Sequence, residues 1–295
     1  MTLAPTPLDG LRVIDLSQNL AGPLATQILG DLGAEVIKVE PPGGDPARAW
    51  GPPFWGGDSP LFLCANRNKR SVTLDLATEA GREALDDLVA GADVFVQAFR
   101  AGVIERLGFG PERLRVEHPW LIYVSVTAYG AQGPLRDLPG YDPLMQAYGG
   151  LMSVTGQPDG PPTRVGTSVV DMGTGMWTAL GVMAALRERD RTGRGSQVDT
   201  SLLSAVVGIH AFHGAGWLAA GVEPRRTGNR HPSIAPYGTF RCSDAELVIA
   251  VGSESLWRRF AAVVGLDPDR PDIATNAARV AAVDALAAEI DGVLA

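Results

Sequence analysis

Asp171 is the residue of this sequence best placed to do chemistry. It stands in TSVVDMGTGMWTALGVMAALRERDRTGRGSQVDTSLL, Thr167 to Leu203, where a β-branched lead-in, Thr167 to Val170, gives way to a helical pattern from Met172 to Arg189. That spacing puts Asp171 at or near a helix N-cap. Two roles suit it there. As a cap it would satisfy free backbone N–H groups; as a carboxylate with a reference pKa of ~3.9 it is also ionised at neutral pH and so open to chemistry. Asp142 directly precedes Pro143, the pattern of an N-cap followed by proline at the first helical position. Tyr141 beside it, with a reference pKa of ~10, is a poor general base near neutrality. His210 and His213 lie i, i+3 in an apolar helical stretch with no acidic neighbour, which reads as packed histidines rather than a metal pair, and no metal site is expected.

The elements that must hold these residues alternate. Leu11 to Leu16 and Glu35 to Val39 read as strands around a helix from Ala21 to Leu32. Further strands are expected at Val72 to Leu76, Val94 to Phe99 and Leu121 to Thr127, separated by helices at Glu79 to Ala90 and Ala101 to Leu107. Such alternation predicts an α/β fold with a Rossmann-like, mainly parallel sheet. The first turn is SQNLAGP and not G-x-G-x-x-G, so the topology carries no dinucleotide expectation. Gly221 to Pro236 reads as a connector between a large domain, residues 1–220, and a small α+β domain, residues 237–295. In the small domain, Tyr237 to Arg241 and Leu247 to Val251 form a hairpin, and helices follow at Glu254 to Val264 and Ala277 to Leu294.

Composition narrows the class. The 295 residues are 45% hydrophobic and 20% charged, ordinary for a globular protein with a sizeable core. A net charge of −8 without a long Lys/Arg run argues against nucleic-acid binding, so an anionic ligand must be met by local basic groups. Cys64 and Cys242 are too few for a disulfide framework. Residues 1–10 lack the regions of a signal peptide and no apolar run reaches the ~20 residues that span a bilayer, so a cytoplasmic protein without membrane contact is expected.

Several segments in order carry a family resemblance. PLDGLRVIDLSQNLAGPLATQILGDLGAEVIKVEPPGGD, NRNKRSVTLDL and FVQAFRAGVIERLGFG open the series. TAYGAQGP, GYDPLMQAYGGLMSVTG, VDMGTG, RTGRGSQVD and GNRHPSIAPYGTF continue it over nearly the whole chain. Together they resemble the family III CoA-transferases, the CaiB/BaiF family that also holds formyl-CoA transferase and α-methylacyl-CoA racemase. The resemblance implies a homodimer of two interlocked, ring-like chains. It also implies a chain that returns from the small domain to complete the large one, a segment absent from a sequence that stops at Ala295.

The resemblance further implies CoA transfer from an acyl-CoA, with succinyl-CoA a candidate donor, to a free carboxylic acid. Asp171 would be the nucleophile, acting through an aspartyl anhydride and an aspartyl-CoA thioester, with acyl-CoA as substrate and no prosthetic group. Its helix N-terminus would favour the anion and offer N–H groups to a tetrahedral oxyanion. The positions matching the CoA site are Leu20, Ala21, Leu74, Ala98, Phe99 and Arg106, of which Arg106 suits a phosphate. Pro41 and Ala77 stand where formyl-CoA transferase is basic, leaving Lys69, Arg70 and Arg100 as substitutes. Tyr141, Asp142 and His231 are implied to meet substrate. The racemase branch has His at the Tyr141 position, which favours transfer over α-proton exchange. His231 lies with Asn229, Arg230 and Ser233 in a loop that differs from the glycine-rich one of formyl-CoA transferase, which argues against oxalate as acceptor, and its donors to a second carboxylate point to a dicarboxylate or similar polar acid. Two alternatives stand beside the transferase: an acyl-CoA racemase or epimerase, and an idle chain, truncated or divergent, that binds acyl-CoA or a partner without turnover.

Overall fold

The computed structural model describes residues 6–295. Six parallel strands lie in the order β3-β2-β1-β4-β5-β6: β1 Arg12–Asp15, β2 Glu35–Glu40, β3 Lys69–Thr73, β4 Val94–Gln97, β5 Ile122–Thr127 and β6 Gln197–Ser201. Alternation along each strand builds two cores. On one face Val13, Val94, Val96 and Val124 pack with Leu29, Val170, Val182 and Val206; on the other Ile14, Phe95 and Tyr123 pack with Leu85, Val89, Ile104 and Leu114. Register is set through the centre, Ile14 pairing with Ile37 on β2 and with Phe95 on β4.

Helix ends follow local chemistry. Thr78 accepts from Gly81 N at 3.1 Å to start the Glu79–Ala90 helix, and Ser253 starts Glu254–Val264 in the same way. The long helix, Val169–Thr192, departs from the expectation that no apolar stretch reaches bilayer length: by length and composition alone it qualifies as a span. It packs along the Ala21–Asp31 helix and against β5 and β6 through a buried face that includes Val170, Thr174, Val182 and Leu186.

Three local expectations are corrected, and one strand was not foreseen. The third strand begins three residues early, at Lys69, because Lys69 and Ser71 find buried carboxylates in Asp15 and Glu40. The apolar stretch carrying the histidines breaks at His210, between helices Leu202–Ile209 and Ala211–Ala220. The last expected helix is two, Asn276–Ala281 and Val283–Leu294, parted at Ala282. The strand β6 lies in a polar segment with no strand pattern of its own.

Two compact units emerge. The larger holds the described residues up to Leu151 together with Val165–Val222; the smaller holds Met152–Arg164 and Glu223–Ala295. This division differs from the expected boundary at residue 220 and from a free connector over 221–236, since most of that stretch groups with the smaller unit. There β7, Tyr237–Arg241, pairs antiparallel with β8, Glu246–Ala250, over a core of Phe240, Trp257, Ile273, Leu286 and Ile290.

Candidate active site

Strand order reverses between β1 and β4, and the loops leaving the carboxyl ends of β1, β4 and β5 surround a cavity of about 300 Å³. An open parallel sheet binds ligands at such a point. Gln18 to Gly22 form one wall, Ala98 to Ala101 a second, and Arg136 to Tyr141 a third, with Asp171 among the lining residues. Seven residues singled out from the sequence therefore meet here: Leu20, Ala21, Ala98, Phe99, Arg100, Tyr141 and Asp171.

Two glycines allow the helices to close on the site. A Cβ at Gly175 would fall 2.7 Å from the carbonyl oxygen of Ala21, so the long helix lies directly on the first turn of the Ala21–Asp31 helix. A Cβ at Gly22 would overlap the Ser17 side chain, which keeps the loop after β1 folded back on itself. That loop is anchored from below. Lys38 donates to Ser17 O at 2.8 Å and pairs with Asp45 at 2.8 Å, while Asp45 Oδ1 accepts from Asn19 N at 3.2 Å. Asn19 holds φ +66°, a left-handed conformation that Asn tolerates better than most residues, and its Oδ1 is buried without a partner.

Asp171 is not the N-cap. The helix begins at Val169 with Ser168 at the cap position, which makes Asp171 a first-turn residue. Asp142 is not its own helix's cap either, because Tyr141 takes that position and Asp142 is the first residue of Asp142–Tyr148. Its buried side chain instead caps the other helix: Oδ2 accepts from Val170 N at 2.8 Å and Asp171 N at 3.2 Å, and Oδ1 from Gln146 Nε2 at 2.6 Å. Val169 N is bonded to Thr167 O. The amides of Val169 to Asp171 are thus engaged, which corrects the expectation that this turn offers free N–H groups to an oxyanion. Burial, and then the negative charge of Asp142, push the Asp171 carboxyl up to about 7.

The other expected residues fall elsewhere. Leu74 lines a neighbouring hollow of about 210 Å³ together with Gln18, Pro41, Leu76, Ala77 and Phe99, so Gln18 and Phe99 border both spaces. Arg106 ends the short Val103–Arg106 helix, exposed and outside the lining of either. His231 belongs to the smaller unit, where it lines a groove of about 860 Å³ with Arg226, Arg230 and Asp284, its Nδ1 accepting from Ser233 N at 3.0 Å. Of the substitute cations, Lys69 is buried against Asp15 at 3.0 Å and Arg70 is paired with Glu35, whereas Arg100 lines the cavity. Sequence reasoning missed Asn19, Arg136 and Gln146. Only Gln146 carried a signal, its i, i+4 spacing from Asp142.

Known proteins resemble this chain in sequence and fold. The family described as CoA-transferase family III matches residues 8–295. Acetyl-CoA:oxalate CoA-transferase of Acetobacter aceti is 43% identical, over 98% of this chain and 75% of that protein. Succinate–glutarate CoA-transferase of Agrobacterium fabrum is 42% identical over 93% of this chain and 71% of that protein. Among solved structures, a CaiB/BaiF family protein from Brucella suis has a TM-score of 0.86 at 41% identity, over 99% of this chain and 79% of that one. Rv3272 from Mycobacterium tuberculosis has a TM-score of 0.88 at 37% identity, over 98% and 78%.

Proposed function

We propose, from the premise that this chain belongs to CoA-transferase family III and is a CoA-transferase, that Asp171 carries the transferred groups. The observation that supports this reading best is one carboxylate, raised to about 7, in a cavity at the sheet's switch point. At that value a large fraction is ionised at neutral pH, and the anion is a stronger nucleophile than an ordinary carboxylate.

The carboxylate attacks the thioester carbonyl carbon, the C–S bond breaks, and CoA leaves as thiolate with an acyl-aspartyl anhydride behind it. The thiolate then attacks the Asp171 carbonyl, releasing the donor acid and forming an aspartyl-CoA thioester. An acceptor carboxylate displaces the thiolate to give a second anhydride, and the thiolate's attack on the acceptor carbonyl yields the new acyl-CoA and frees Asp171. Each tetrahedral oxyanion needs donors, and the long helix has no spare amide in its first turn. We assign them to Ala21 and Gly22, the first turn of a helix that lines the cavity without a side-chain cap.

The acceptor is proposed to be a dicarboxylic acid, since the names of the two relatives carry oxalate, succinate and glutarate, with succinyl-CoA as a donor. Arg100 and Arg136, both lining the cavity, would meet the second carboxylate or the CoA phosphates. Mixing the protein with panels of acyl-CoAs and free acids and following CoA exchange by mass spectrometry tests the pairing; no exchange with any dicarboxylate would sink it.

CoA is proposed to run from Asp171 past Phe99 to the hollow beside Leu74, with Arg106 reaching the ribose phosphate. Replacing Arg106 by Ala should weaken CoA more than dephospho-CoA, by about 1.5–3 kcal/mol for charge-assisted bonds to one phosphate. Calorimetric titration giving equal CoA affinities for both proteins would remove Arg106 from the site.

Transfer is favoured over racemisation by Tyr141, which lines the cavity and supplies no imidazole. A 2-methylacyl-CoA kept with the enzyme in deuterated water is therefore expected to retain its α-hydrogen. Rapid deuterium uptake, followed by mass spectrometry, would favour the racemase instead.

We also propose a homodimer. Met176, Trp177 and Leu180 of the long helix and Phe212, Trp217 and Leu218 of Ala211–Ala220 are exposed, more large apolar surface than a lone chain commonly leaves in water.

A further inference from the structure

We propose that Asp142, with Gln146, is a positioning residue for Asp171: it fixes the turn that bears the nucleophile and opposes ionisation of its side chain. The inference rests on the reading of Asp171 as nucleophile and adds a role for a residue that does not line the cavity. Asp142 is 2% exposed and Gln146 fully buried. Three N–H groups, from Val170, Asp171 and Gln146, converge on the two Asp142 oxygens, an environment suited to a carboxylate. Gln146 completes a clamp, its Oε1 accepting from Val165 N at 2.8 Å. One turn of the Asp142–Tyr148 helix thus grips the backbone on both sides of Thr167, which sets where the Asp171 side chain leaves the helix.

The grip has an electrostatic consequence. A second carboxylate held against the amide of Asp171 disfavours a negative charge on Asp171 and adds to the effect of burial on its titration. The titratable and charged groups around Asp171 are few. Asp142 and Tyr141 head one helix, and Arg136 and Arg100 come from the loops lining the cavity. The Leu202–Ile209 helix carries no charged residue, and the Ala21–Asp31 helix has only Asp31, at its far end.

The test uses two full-length variants. In Asp142→Asn the negative charge is gone, but the new amide would set a donor against the Gln146 donor. In the double variant Asp142→Asn, Gln146→Glu, the Asn amide donates to one Glu oxygen while the other still accepts from Val165 N, so both of those bonds are kept, only the long 3.4 Å bond from Gln146 Nε2 to Thr167 O is lost, and the charge sits one hydrogen bond further from Asp171. The carbon-13 titration of the Asp171 carboxyl, assigned by its absence in Asp171→Asn, gives the midpoint with or without turnover. Trapping of the acylated residue with hydroxylamine gives the reaction rate against pH.

The wild-type midpoint is expected near 7. It should fall in both variants, and for each unit of fall the trapped rate at pH 5, relative to its own plateau, should rise about tenfold. A merely structural Asp142 would lower stability and leave the midpoint in place. An unmoved midpoint in a folded variant overturns the proposal, and the double variant decides if the single one does not fold. Absence of trapping at Asp171 in the wild type would instead remove the nucleophile, and this proposal with it, whatever the midpoint does.

Discussion

Asp171→Asn is expected to reduce CoA exchange to background and to abolish trapping by hydroxylamine or borohydride after incubation with acyl-CoA. An amide of the same shape cannot form the anhydride, and no other group in the proposed sequence takes over that bond. Near-normal turnover in the variant would refute the mechanism. The same substitution should leave the fold intact and even strengthen it at alkaline pH. The folded pKa of this acid is raised from 3.8 to about 7, so the folded state binds its proton more tightly than the unfolded chain. Stability is therefore lost as pH rises from about 4 to about 7, and the loss stays constant above that. A neutral Asn avoids it. The melting temperature of the variant should exceed the wild type's at pH 8 and match it near pH 4, which differential scanning calorimetry would read.

Asp45→Ala should cost about 3–5 kcal/mol of unfolding free energy, because it leaves the Lys38 ammonium buried at 1% exposure without its carboxylate. The amides of Asn19 and Ala47 lose their acceptor at the same time. Replacing both members, Lys38→Met with Asp45→Leu, should cost less than the single change, since an apolar pair removes the stranded charge. Urea denaturation measures both, and a single-variant loss under about 1 kcal/mol would show that the pair is not what holds the loop. The neighbouring Asp15 makes the region acid-sensitive. Burial raises its pKa, but Lys69 and Lys38 together with the hydroxyls of Ser17 and Thr26 outweigh that and bring it down to about 2. Its stabilising contribution is present above pH 4 and lost as pH falls towards 2.

The sheet was legible wherever strands are apolar on both faces. The segments around Val13, Val36, Val94 and Val124 are buried between helices and are rich in β-branched and aromatic residues. The two edge strands were the hard cases. At β3 the residues Lys69, Arg70 and Ser71 look like a surface turn until Asp15, Glu35 and Glu40 supply their partners. At β6, Gln197–Ser201 is polar and only partly buried, and only its pairing with β5 makes it a strand. The candidate site divides in the same way. Asp171 stands out by type and position and the loops after β1 and β4 by the family resemblance, but the partnership with Asp142, 29 residues earlier, has no local trace. Arg136 stands in a loop without periodicity, so nothing in its surroundings points to the cavity.

Because Met152–Arg164 groups with the residues after Glu223, the smaller unit is assembled from two lengths of chain, and cutting the gene between the units cannot isolate it. A fragment beginning at Glu223 would lack Gly156 O, the acceptor for Gly228 N, and the carbonyls of Ser153 and Gln157 that hold the Arg226 guanidinium. Expressed alone, it should collapse loosely and be digested quickly by protease. A circular permutant that joins residues 152–164 to the start of this fragment through a short Gly/Ser bridge would restore those bonds and is the version to make for independent study.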